Sequence, residues 1–132
     1  MSAELATALE HSISPDWAVR AAAAHELAAI IGIPAARSRL AEMLGDAGDI
    51  AVQVEAAEAL VRHGGAAGLV AVLTELGRRS DDPQCDYLAY RIAELQQSGD
   101  VRVLDLVSAV DRAELSAEAG IALRDLLVLI GG

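Results

Sequence analysis

Three histidines, one cysteine and a few neighbouring carboxylates are the side chains here from which a catalyst could be assembled. His25-Glu26 opens a zinc-protease-like motif, which needs a second imidazole four residues on to share the helix face. That position is Ala29, so the ligand pair is missing. His11, His25 and His63 are dispersed and read as solvated or boundary residues. Cys85 would need a histidine partner and an electropositive setting to act as a thiolate, and Asp82 and Asp86 supply the opposite field. Glu55 and Glu58, one helical turn apart, and the pair Asp81-Asp82 could move protons in principle. The first two belong to what should be a solvated helix face, and the second two to a turn before Pro83. No Gly-x-Ser-x-Gly elbow occurs. A chain without lysine has neither a P-loop lysine nor a Schiff base. Gly64-Gly65-Ala66-Ala67-Gly68 follows no strand and reads as a connection between helices. No catalytic residue, cofactor or metal ion is expected, and the chain reads as a non-enzyme.

The elements that carry these residues recur. Sliding the sequence against itself by 33 positions aligns Ala23, Ala56, Ala89 and Ala122 without gaps. The same shift aligns Val19, Val52 and Cys85, then Leu27, Leu60, Ala93 and Leu126, then Leu40, Leu73 and Leu106. It also aligns Asp16, Asp49 and Asp82, each at an expected helix start, where a carboxylate accepts orphan amides and suits the helix dipole. Pro15 and Pro83 lie close to two of these starts. Apolar residues follow at helical spacing: Val19, Ala23, Ala24, Leu27, Ile30 and Ile31, then Val52, Ala56, Ala57, Leu60 and Val61. Gly32 and Gly64-Gly65 are expected to end these two helices. Second helices are expected near 34–44, 67–78 and 101–110, the last capped by Asp100. A leading helix is expected over 3–11, and a final one over about 117–130 after Ser116. No alternating run suggests a strand. The units are about 14–46, 47–79 and 80–112, with a half-unit at 113–132, all in one domain.

Asp16, then Val19-Arg20, Ala23-Ala24 and Leu27, resembles the first helix of a HEAT-like repeat. The second unit keeps Val52, Ala56, Ala57 and Leu60 but has Gln53 in the usual arginine position. The third departs further, with Cys85-Asp86 and Tyr90. Ankyrin repeats share the period but have a Thr-Pro-Leu-His-like turn that is missing here. The resemblance implies an all-α fold, a short right-handed α-solenoid of about three to four helix pairs. First helices would then line the convex side and second helices a concave binding side.

Composition limits the function classes. The chain has 132 residues, 54% of them hydrophobic, with one Trp, two Tyr and no Phe. Its core must be built from Ala, Leu, Val and Ile. Lys, Asn and Phe, whose codons are AT-rich, are all absent, which suggests a GC-rich bacterial genome. Net charge is −10, spread over both halves of the chain. Such a surface repels nucleic acid and anionic membrane and steers toward cationic partners. A lone cysteine cannot form an intrachain disulfide. No secretory signal is apparent, and no apolar run reaches the roughly 18 residues of a membrane span. The expected setting is the cytoplasm.

The expected partner is another protein, basic in character. Repeat register aligns Arg39 with Val72 and Asp105, Glu42 with Glu75 and Ser108, and Asp46 with Arg79 and Arg112, along the second helices. Arg39, Glu42, Asp46, Glu75, Arg79, Asp105 and Ser108 are therefore candidate partner-binding residues, with Asp49 and Asp82 in the loops. Residues 119–130 are apolar nearly all round, and Leu123, Leu127 and Ile130 form a candidate face for a homodimer or another docked protein. The sharpest reading is an acidic inhibitor of immunity or antitoxin type. The alternatives are a general HEAT-like adaptor or scaffold and, more remotely, a phycobilin-lyase-like or DNA-repair HEAT-like protein.

Overall fold

The computed structural model describes residues 2–46 and 49–131. The expected boundary between the first and second units, at 46–47, falls partly outside them. The described residues form α1 (Ala3–His11), α2 (Trp17–Ala29), α3 (Pro34–Leu44), α4 (Ile50–His63), α5 (Gly65–Arg78), α6 (Cys85–Ser98), α7 (Val103–Ala109), a 3-10 turn (Arg112–Glu114) and α8 (Ala117–Ile130), and no strand. From α1 to α5 each helix packs on the next, giving a short HEAT-like solenoid.

Local chemistry explains the helix starts. Ser2, Asp16, Asp49 and Ser116 cap α1, α2, α4 and α8, each accepting an amide of the first turn. Pro34 occupies the first turn of α3, where its missing N–H costs nothing. Asp82 does not cap α6. Its carboxylate accepts the amide of Gln84 instead, one residue short of the helix. Asp100 does not cap α7 either. The Leu104 amide is satisfied from outside, by Gln96 Oε1 of α6, and α7 spans only 7 residues.

Gly64 closes α4 as expected, its amide donating to the Leu60 carbonyl, but Gly32 does not close α2. α2 stops at Ala29 rather than running to Gly32, because Ile30 and Ile31 turn back through bonds to the carbonyls of Leu27 and Ala28. Both isoleucines then pack against the core. α5 begins at Gly65, two residues before the expected start, because Gly65 has φ +61° and reverses the chain within one residue.

The repeat columns reach the core. Ala23, Ala24, Leu27, Ala56, Ala57, Leu60, Leu40 and Leu73 are all buried. Alanine columns let helices approach closely, and glycine goes further. A Cβ on Gly68 would lie 2.1 Å from the Leu60 carbonyl oxygen, so α4 and α5 pass too close for any side chain there.

The third unit breaks the regular stack. α3 packs on α4, but α6 has only slight contact with α5, and α8 takes the larger contact with α5 instead. Gly77 permits this: a Cβ there would stand 2.6 Å from the Glu118 carbonyl carbon of α8. The short α7 leaves the chain free to fold α8 back.

Candidate functional site

The first helices α2, α4 and α6 lie in a row and share one exposed side. Trp17 begins α2, and Tyr87 and Tyr90 sit one turn apart on α6. These are the chain's three aromatic residues. They are 57%, 59% and 48% exposed, and all three line one groove of about 810 Å³. Its floor is Ala21, Ile50, Ala51 and Val54 of α2 and α4, and Glu55, Arg91 and Glu94 close one end. The expectation of an aliphatic core holds, and its corollary was the signal for this site: aromatics excluded from the core must lie on the surface. The 33-residue register puts Ala21, Val54 and Tyr87 in one column and so joins them on one side.

A charged ladder borders the groove. His25, Glu58 and Arg91 occupy the same repeat position on α2, α4 and α6. His25 Nε2 is 2.7 Å from Glu55 and 3.9 Å from Glu58. Arg91 Nη1 donates to Glu58 at 2.8 Å and lies 3.5 Å from Glu55, while Arg62 Nε is 3.3 Å from Glu58. The Glu58 side chain is only 14% exposed. The face expected to be solvated is thus a largely covered network, and the single-helix view missed it because the partners come from neighbouring repeats. Burial raises the Glu58 pKa, but the bond from Arg91 and the charges of Arg62 and Arg91 outweigh it, so the carboxyl sits below its ordinary value. Burial likewise works against the Arg91 charge, and the Glu58 bond more than restores it.

His25, Glu55 and Glu58 bring three ligand-type atoms within 4.8 Å of one another. Both glutamates already have partners, Glu58 the Arg62 and Arg91 guanidiniums and Glu55 the His25 ring and Arg91. A metal ion would have to displace the two guanidiniums, so the arrangement reads as a link between repeats.

Arg20 performs a second link. It donates to Asp49, the cap of α4, at 2.7 Å and to the Ser14 carbonyl at 2.8 Å. In the next unit Gln53 is buried and donates to the Asp46 carbonyl.

The second-helix candidates fall into separate environments. Glu75 is buried, with Arg78 Nη2 and Arg79 Nε each 2.8 Å away, and Arg79 also reaches Asp82 and the Leu44 carbonyl. Glu75, Arg79 and Asp82 are therefore brought together at the ends of α3 and α5. Arg39 ties α3 to the end of α1 through Ser12 and pairs with exposed Glu42. Asp105 is exposed beside Arg102, and Ser108 bonds back to Leu104 within α7. Val72, between Arg39 and Asp105 in register, is fully buried, so that row is interrupted at the surface.

Of the α8 candidates, Leu123 is buried, and Leu127 and Ile130 are half-covered against the core. The exposed apolar residues of α8 are instead Ile121, Val128 and Leu129. Folding back onto α5 and α6 rotates the others inward. Cys85 is buried near α5, and burial first, then Asp82, Glu75 and Asp86, push its thiol upward against the opposing pull of Arg79.

Stacked helix pairs with one aromatic-lined side and charge ladders between repeats define the class: an α-solenoid repeat protein. The family model described as HEAT repeats matches residues 2–94, most of the chain, and the chain belongs to that family. No curated protein and no solved structure matches it. No helix among the described residues is long and apolar enough to cross a membrane.

Proposed function

We propose that this chain is a non-catalytic HEAT-repeat domain that binds another protein on its first-helix side, with Trp17, Tyr87 and Tyr90 as anchors. The observation that carries the reading is the placement of the aromatics. A protein with three of them leaves all three in water along one groove. Burying a large apolar side chain is worth about 1.5–3 kcal/mol, and a partner covering these rings recovers that energy. Tryptophan, tyrosine and arginine are also the residues that dominate binding hot spots.

Charge narrows the partner. At −10 the surface attracts a basic protein and speeds its association. The narrow form of the proposal is an immunity- or antitoxin-type inhibitor of such a protein. The broader form is an adaptor or scaffold.

The test compares capture by wild type and by Trp17→Ala/Tyr87→Ala, with circular dichroism to verify equal folding. A protein retained stoichiometrically by the wild type and lost by the variant supports the reading. Equal retention by both sinks it. Release of a basic protein by moderate salt favours the inhibitor, and salt-resistant retention of a neutral or acidic one favours the adaptor.

A further inference from the structure

We propose that a second groove, between the end of α5, the start of α6 and α8, seats a helix of a partner protein that carries apolar anchors flanked by arginine or lysine. The proposal rests on the protein-binding reading, but its groove shares only Tyr90 with the aromatic one.

The groove exists because α8 displaces α6 from α5. It encloses about 350 Å³ over a floor of Leu76, Ala89, Ala122 and Leu126. Its lip is Ile121, Val128 and Leu129, all exposed, Val128 by 75%. A trough walled by helices is the shape into which an amphipathic helix lays its apolar face. The volume suits one or two inserted side chains.

Charge selects the occupant. Three carboxylates line the groove, Asp86, Glu118 and Asp125, and no arginine or histidine does. All three are exposed, and none is in ion-pair range of a cation among the described residues. Between the repeats, by contrast, Asp49, Glu55, Glu58 and Glu75 each meet an arginine. An apolar floor with an unanswered acidic rim is complementary to apolar side chains flanked by cations. A second copy of this chain fits poorly, since two identical rims would face each other with like charge.

The probe is a fluorescein-labelled, helix-forming peptide with leucine on one face and arginine on both flanks, titrated into the full chain and followed by anisotropy. A version flanked by glutamate is the control. The arginine peptide is expected to bind and the glutamate peptide not to. Asp86→Asn/Glu118→Gln/Asp125→Asn should weaken binding about tenfold or more, equivalent to about 1.4 kcal/mol. Ile121→Ser/Val128→Ser should weaken it similarly, and Trp17→Ala should leave it unchanged. All these side chains are exposed, so an unchanged thermal midpoint verifies folding. The proposal is overturned if the arginine peptide fails to bind, if the neutralised variant binds it equally, or if Trp17→Ala abolishes binding. Self-association that Ile121→Ser/Val128→Ser disperses would also overturn it, by assigning the groove to a second copy. Any of these results combined with loss of partner capture in Trp17→Ala/Tyr87→Ala removes this groove and leaves the binding function standing.

Discussion

Glu58 receives Arg62 from its own helix and Arg91 from the next, and lies 3.9 Å from His25 of the one before. Its carboxyl is held below the ordinary value of 4.5. A depressed folded value means that the ionised form stabilises the fold, fully so above the unfolded value. That contribution disappears as pH falls through the folded value. Glu58→Gln mimics the protonated state. The variant should be less stable than wild type by about 1 kcal/mol at pH 7, the scale of a partly exposed ion-pair network. The gap should narrow as the pH falls below 4.5 and through the folded value. Urea denaturation of both proteins across an acid pH series measures it, and a gap that persists throughout would assign the loss to packing. The residue types in this ladder were legible in the sequence and their role was not. Read along one helix, Glu55 and Glu58 are neighbours on a polar face, whereas His25 and Arg91 reach them only after stacking.

The helices themselves were largely legible, because caps and apolar spacing act within a few residues. Asp16, Asp49 and Ser116 mark their helices as expected. Asp82 and Asp100 mislead because Pro83-Gln84 and Val101-Arg102 stand between each of them and the helix it was expected to cap. Whether an element meets the next one as the repeat dictates was not legible. α8 takes the larger contact on α5, and Gly77 is the residue that admits it. Gly77→Ala should cost about 1–3 kcal/mol, the usual range for forcing an atom into a closed contact, because the backbone at Glu118 must retreat. Gly120 on α8 has nothing within 4 Å of its would-be Cβ. Gly120→Ala should therefore be neutral or gain up to about 1 kcal/mol from helix propensity. Thermal melts of the pair decide the matter, and equal midpoints would mean that the close approach of α5 and α8 carries no energetic weight.

Taken whole, the molecule is a stack whose core runs through every repeat, so its weakest point should be central. Leu60 is buried against α5, beside the closest approach of two helices. Leu60→Asp removes a packed side chain and buries a charge, a loss of at least about 3 kcal/mol. Circular dichroism should show the domain unfolded or melting far below wild type, and an unchanged midpoint would break the 33-residue register. The sequence alone determined that register, the aliphatic core, the helical class and the acidic surface, because spacing and composition express preferences of a few consecutive residues and of the total charge. Only the tertiary structure decided which side carries the aromatics together, which carboxylates are answered by arginine, and where α8 lies. Those outcomes depend on contacts between residues dozens of positions apart, and a period of 33 fixes which residues correspond without fixing how the last repeat packs.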